Sequence, residues 1–349
     1  MKVLWLSPWM RTLARVHCEM LRAAGGQVIL VTSDQHPEPV TPTDWEVVLD
    51  PRFKTAATWP QFARAAAQLR RFDADVVVTE LVRDPRWIAF AGRKPRIDVV
   101  HDDRPHDAHE QRPRVEAAVF DRWNRSAQAT LCFSQHVAQA LPADVAPPVA
   151  IPLSSDVVDR PGAGIDLSTP APADERRDFV MIGRLNAYKN LDVVLRAWEI
   201  HVGSSAYRGD VLRLYGSAER LPDLPSTVWW NGGAYQNSEL LPVLRRAKGS
   251  IAHYRVATQS GVQVLSMQAG VTPIVSTEGA LPEFQPPGVE PIDKDDAAGL
   301  ADVLGLLAEP ETAALHGYSA RKHYDAHFAP EVVGARLREV LTSVVPQPR

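Results

Sequence analysis

Two loops and one short cluster in this sequence carry residue types that do chemistry. The first loop reads Gly183-Arg184-Leu185-Asn186-Ala187-Tyr188-Lys189-Asn190-Leu191 and lies between an apolar run over 179–182 and a segment of helical periodicity. Glycine where a strand ends permits a tight turn, and an Arg and a Lys five positions apart beside a helix start can grip two adjacent phosphates. This is a phosphate-binding pattern without a Walker lysine; the other reading of the same pair is two solvated charges on a turn. The second loop follows an apolar run over 250–253 and extends from Tyr254 to Pro273. Gly261 falls where a new helix begins, so the backbone N–H groups of Gly261 and Val262 are placed to receive a phosphate oxygen, reinforced by the helix dipole. Thr258, Ser260 and Ser266 add hydroxyls for such a ligand, or serve as helix caps. The cluster is His101-Asp102-Asp103-Arg104-Pro105-His106-Asp107-Ala108-His109-Glu110, with three histidines and four acids in ten residues. It could hold a divalent metal and would then point to a hydrolase. No i, i+4 histidine pair flanks a glutamate, however, and Pro105 interrupts any helix, so no metal is assigned.

Loops of this kind need a scaffold that gathers strand ends. Short β-branched runs predict strands over 3–6, 27–32, 75–79, 97–100 and 129–133. Between them lie helix-period segments, the first carrying Leu13, Val16, Met20 and Leu21 and stopped by Gly25-Gly26, with others over 62–72 and 115–123. Over 161–176 the pattern gives way to Pro, Gly, Ser, Ala and acidic residues without period, which reads as an interdomain linker. A second alternating series predicts strands over 179–182, 211–215, 228–230, 250–253 and 272–276. Its helices are expected over 189–200, 239–247, 296–308, 312–325 and 330–344. Continuous apolar strands between helices imply parallel sheets covered on both faces. The expected architecture is α/β, with doubly wound domains over 1–160 and 177–328 facing one another across a cleft. Ligands are then sought at the carboxyl ends of the strands. Tyr318, Tyr324, Phe328, Val332, Val333, Leu337 and Leu341 give the closing helices an apolar face, and the segment 329–349 either packs back on the first domain or stays on the second.

The 349 residues, 45% of them hydrophobic, suffice for two sizeable cores. With 38 basic against 42 acidic side chains, the net charge of −4 lacks the excess that sequence-independent nucleic-acid binding requires. A nucleic-acid role would need a local patch, for which Arg245, Arg246 and Lys248 are the candidates. Cys18 and Cys132 are the only cysteines, which excludes a disulfide framework and fits a reducing cytoplasm. The apolar run at 3–6 is too short for a signal sequence, and no run of 18 apolar residues exists to span a membrane. Peripheral membrane contact stays open.

Gly183-Arg184 with Lys189-Asn190-Leu191, the Gly261 loop and Pro273-Ile274-Val275-Ser276-Thr277 together resemble the nucleotide-sugar domain of the retaining glycosyltransferases of family 4. The resemblance spans nearly the whole chain: Asp98-Val99-Val100-His101 is similar to that family's strand ending in an active-site histidine, and Leu131-Cys132-Phe133-Ser134 to its later strand ending in serine. Residues 152–156 are similar to the stretch leading into its linker. The resemblance implies the GT-B fold of two Rossmann-like domains, and transfer of a sugar from a nucleoside-diphosphate-sugar donor with retention of configuration. It implies no required metal or cofactor. Arg184 and Lys189 would stabilise the departing diphosphate, His101 would lie near the reacting sugar, and Gly183, Thr258, Ser260, Gly261, Val262 and Ser266 would surround the donor. Trp9, Arg11, Asp102, Arg104 and His106 are candidates for the sugar or acceptor side, and Asn231-Gly232-Gly233-Ala234-Tyr235 resembles the loop lining the base. The chain departs from the family at the two glutamates that have seven residues between them: Thr258 and Ser266 occupy those positions. A nearby anion ordinarily supports oxocarbenium character. A different donor, another acid such as Glu278 in the role, or lost activity each account for the departure. Outside glycosyl transfer, the alternatives are a metal-dependent hydrolase at 101–110 and a non-catalytic nucleotide-sugar-binding protein.

Overall fold

The computed structural model describes residues 1–33, 41–52, 54–102, 114–157 and 166–346; in the helix that begins at Arg114, side chains are described from residue 119 onward. The chain forms two compact units, Met1–Asp156 with Pro330–Arg349, and Val157–Ala329.

The first unit is built on β1 (Lys2–Ser7), β2 (Gln27–Ser33), β3 (Glu46–Leu49), β4 (Val76–Glu80), β5 (Arg96–Val100), β6 (Ala129–Cys132) and β7 (Pro148–Ala150). All pair in parallel, in the order β3-β2-β1-β4-β5-β6-β7. Helices α1 (Arg11–Ala23), α2 (Trp59–Phe72), α3 (Pro85–Ala91), α4 (Arg114–Asn124) and α5 (Gln135–Ala140) lie between the strands in sequence. Every residue of β4, and all of β1 beyond Lys2, is buried, as crossover helices on both faces require. The strand order reverses between β1 and β4. Leu6 pairs with Thr79 there, so the strand ends at Ser7 and Glu80 emerge side by side.

The second unit repeats the design with β8 (Phe179–Ile182), β9 (Leu212–Tyr215), β10 (Val228–Asn231), β11 (Gly249–Ala252) and β12 (Pro273–Val275), again parallel, in the order β10-β9-β8-β11-β12. Its helices are α6 (Leu191–Val202), α7 (Asn237–Arg246), α8 (Gly261–Gln268), α9 (Leu281–Phe284), α10 (Ala297–Leu307) and α11 (Pro310–His327). Phe179, Met181, Trp198, Leu214, Ile251 and Leu304 fill the core on one face. The order reverses between β8 and β11, whose ends carry the two loops singled out in the sequence.

Residues 166–176, read from sequence as part of a linker, are packed onto this unit. Leu167 is 1% exposed, and the buried Arg176 guanidinium donates to the carbonyls of Ala171, Ala247 and Gly270. The stretch lacks periodicity because single side chains anchor it, with no repeating face. The chain then passes from α11 to α12 (Pro330–Val344), which belongs to the first unit. Val333, Leu337 and Leu341 are buried, and a Cβ placed on Gly334 would lie 3.1 Å from Cβ of Met20 on α1. Tyr318 of α11 takes no part in a core and is 59% exposed.

Candidate functional site

The loop after β8 is shaped by close backbone approach. Gly183 has φ +110, and its N–H donates to the Tyr215 carbonyl at 2.9 Å. Gly216 has φ +133, and a Cβ there would fall 2.1 Å from the Gly183 oxygen, so the two turns touch in a way side chains would prevent. The chain next makes a 3₁₀ turn, Ala187–Lys189, and Asn190 reverses it in a left-handed conformation before α6. Asn190 is fixed on both sides: Nδ2 donates to the Lys294 carbonyl at 2.6 Å, and Oδ1 accepts from Arg255 at 2.8 Å. This reversal tucks Lys189 inward.

Lys189 is 5% exposed. Its Nζ donates to the Tyr254 hydroxyl at 2.6 Å and the Ile182 carbonyl at 3.3 Å, and sits 3.8 Å from the Tyr254 ring centroid. No carboxylate among the described residues is within ion-pair distance of it. Burial lowers its pKa from 10.5 to about 8; Tyr188 opposes that shift and the Arg184 charge adds to it. Tyr254, itself buried, has its phenol pushed up to about 12 by burial. Arg184 is exposed, and its guanidinium has no hydrogen-bond or ion-pair partner among the described residues.

The loop after β11 ends at Ser260, which caps α8 by accepting the Gln263 N–H at 3.3 Å. The N–H groups of Gly261 and Val262 have no acceptor among the described residues, and the space a Gly261 side chain would occupy is open to 4 Å. Thr258 is 1% exposed. Ser266 is buried and donates to the Val262 carbonyl at 2.6 Å, so its hydroxyl proton serves the helix backbone and not a ligand. The loop carrying Glu278 packs directly against this region: a Cβ on Gly279 would lie 1.8 Å from the Ala257 oxygen, and Ala280 N–H donates to the Thr258 carbonyl at 3.3 Å.

In the first unit the strand ends hold a different arrangement. His101 Nε2 lies 2.7 Å from Glu80 Oε1, and Trp5 Nε1 donates to Glu80 Oε2 at 3.0 Å. Burial opposes charge on both partners, yet the hydrogen bond and charge of His101 hold the Glu80 carboxyl below its ordinary range, and those of Glu80, with Asp102 assisting, raise the His101 imidazole. Behind them the wholly buried His17 stacks on Trp5 at 5.4 Å and Phe133 at 5.5 Å, and its Nε2 meets Ser154 Oγ at 3.1 Å. Burial lowers His17 to about 4, Glu80 working the other way and His101 adding to the fall.

Of the remaining candidates, Trp9 is 46% exposed beyond β1, and Asp102 is half-buried beside His101. Arg11 is 5% exposed, with Nε 3.3 Å from Glu46 Oε1, and ties the start of α1 to β3. Arg104 and His106 lie outside the described residues, as does most of the 101–110 cluster. Among the described residues no three His, Cys, Asp or Glu side chains are grouped to hold a metal ion. The candidate basic patch is internally paired: Arg245 and Arg246 reach Glu175 at 3.3 and 3.4 Å, and Lys248, 3% exposed, pairs with Asp210 at 2.7 Å.

Sequence reasoning overlooked Tyr254 and Glu80. Tyr254 stands immediately after an apolar strand in the loop already singled out, and Glu80 is an acid closing an otherwise apolar strand. Both positions carried a usable signal.

No protein-family model and no curated protein matches the chain. Solved structures do. Sucrose-phosphate synthase from Thermosynechococcus elongatus is similar over 98% of each chain at TM-score 0.70 and 17% identity. Anabaena HepE in complex with UDP-glucose is similar over 98% of this chain and 100% of its own, at TM-score 0.66 and 14% identity. The trehalose-6-phosphate structure from E. coli bound with UDP-2-fluoro glucose is similar over 99% and 100%, at TM-score 0.66 and 11% identity. The fold is GT-B. GT-B comprises two Rossmann-like domains, matching the two doubly wound units. No helix among the described residues is long and apolar enough to cross a membrane.

Proposed function

We propose that this GT-B protein is a retaining glycosyltransferase of the family 4 type, moving a sugar from a nucleoside-diphosphate-sugar donor to an acceptor. The observation that carries the reading is the set of unanswered donors at the β8/β11 edge. Lys189 is a buried ammonium without a carboxylate, Arg184 is an exposed guanidinium without a partner, and the first N–H groups of α8 are open. A diphosphate supplies the acceptors all of them lack. Charge that grows on the diphosphate as the glycosidic bond breaks is where fixed cations lower the barrier. The reading needs neither a metal nor a cofactor. His101, held by Glu80, is assigned to the sugar, and Trp9 and Asp102 stay candidates for the sugar or acceptor side. UDP and UDP-glucose bound by HepE support a nucleotide-sugar donor.

A thermal-shift screen of nucleoside diphosphates and their sugars tests binding, because a ligand stabilises the native state in proportion to the logarithm of its excess over Kd. Turnover and the anomeric configuration of the product then test the reaction. Arg184→Ala and Lys189→Ala are expected to abolish transfer in folded protein; unchanged turnover in both variants removes the site. The lack of a carboxylate at Thr258 and the inward bond of Ser266 favour a second reading, a nucleotide-sugar binder without turnover. A donor that stabilises the protein and is never consumed, with or without Thr258→Glu, would establish it.

A further inference from the structure

The hydrogen bonds between Lys189 and α8 have a direction that can be worked out atom by atom. A protonated Lys189 Nζ has only protons to give, and one goes to the Tyr254 oxygen at 2.6 Å. Tyr254 has a single proton of its own, and its remaining neighbour is Ser260 Oγ at 3.1 Å; the geometry lets either oxygen donate there, and in the arrangement that continues the direction set by Lys189, Tyr254 donates to Ser260. Ser260 Oγ already accepts the Gln263 N–H at 3.3 Å. Its own proton therefore has no acceptor among the described residues, and neither does the third proton of Lys189. Lys189 and Ser260 are each 5% exposed, so these orphan donors are buried polar groups whose natural complement is an anion.

We propose that Tyr254 and Ser260 form a relay that carries the charge of Lys189 to the first turn of α8, orienting the Ser260 hydroxyl toward a bound diphosphate oxygen. When Lys189 loses its proton the chain reverses. The neutral amine accepts from Tyr254, Ser260 turns its proton back to Tyr254, and the α8 turn loses a donor. Tyr254 is thus a positioning residue, acting on the ligand through Ser260. The groups facing Lys189 are few. Arg184 and Tyr188 belong to its own loop, and Tyr254 comes from the loop after β11. Arg255 is engaged by Asn190 and Asp192, and the charge of Glu278 acts on Lys294. Lys189 is consequently the titrating member, with its midpoint near 8. The inference rests on the diphosphate reading of the site.

The test has a ligand-free arm and a ligand arm, each on the full chain. In ligand-free protein, the Gln263 amide resonance, which reports on Ser260 Oγ, should titrate with a midpoint near pH 8 in the wild type and stay flat in Lys189→Met and Tyr254→Phe. With UDP and inorganic pyrophosphate as probes at pH 7, Tyr254→Phe and Ser260→Ala should each weaken binding about tenfold, and the double variant no further. A Gln263 titration that persists in Tyr254→Phe, or losses that add in the double variant, would overturn the relay while leaving the diphosphate site standing. Wild-type protein that binds neither probe would overturn the function, and the ligand-free titration would still decide the relay.

Discussion

The two parallel sheets end in opposite electrostatic conditions. At the β1/β4 edge the charges answer one another: Glu80 accepts from Trp5 and meets His101. At the β8/β11 edge the charge is unanswered, since Lys189 is buried against a phenol, a carbonyl and a ring. The first arrangement is complete within the folded chain. The second carries a desolvation cost that a bound anion would relieve, and such cost concentrated at one strand edge is a stronger reason to propose a binding site there than the mere presence of cations.

That contrast can be broken at four points. Glu80→Ala should be the most destabilising, by about 3–5 kcal/mol, because it leaves His101 buried and deprives Trp5 of its acceptor; thermal unfolding measures it, and a loss below about 1 kcal/mol would mean that the pair is open to water. The wild-type pair also sets a pH window. The raised His101 pKa contributes stability that disappears as pH rises through its folded value, and the lowered Glu80 pKa contributes stability that disappears as pH falls through its own.

His17 should give the next effect. Its folded pKa of about 4 lies below the ordinary 6.5, so the unfolded chain binds more protons between those values and stability falls as pH drops across them, by roughly 3 kcal/mol at the limit. Urea titrations at pH 7 and pH 4.5 should show the fall in wild type and a smaller one in His17→Leu.

Lys189→Met should act in the opposite sense, raising the stability of ligand-free protein by about 1–3 kcal/mol at pH 7 while removing diphosphate binding. Wild-type stability should climb between pH 8 and 10.5, where the unfolded chain holds the lysine proton and the folded chain has released it. The variant should lack that climb; a destabilised Lys189→Met would show that the cation is compensated after all. Arg184→Ala should be the mildest, leaving stability within about 0.5 kcal/mol while weakening UDP about tenfold. Equal affinity by titration calorimetry would take Arg184 out of the site.

What could be read from sequence follows how local the physics is. The Gly183 turn, the Lys189 turn and the Ser260 cap are each decided within a few residues, and so were legible in the sequence as a turn and a helix start. The contact that gives Lys189 its character is with Tyr254, 65 positions away, and no local pattern announces it. Arg11 looked like a cation at a strand end, but Glu46, which lies far off in sequence, draws it into an ion pair. Ser266 was read as a hydroxyl available to a ligand; the carbonyl one helical turn earlier was an equally near acceptor and takes its proton. Among the elements, α3 and α5 escaped notice because helices of seven and six residues are too short to establish a period, and β3 and β7, the two edge strands, because they open on Glu46 and Pro148 and lack the continuous apolar run of the inner strands.

The return of α12 to the first unit means that the second is, in topological terms, an insertion. The first unit lacks the helix carrying Val333, Leu337 and Leu341 until synthesis has passed them, whereas the last residue of the second, Ala329, is joined to the chain before that helix begins. The unit that begins later in sequence is therefore the one able to finish folding first, and the earlier one must wait with the surface beside Met20 uncovered.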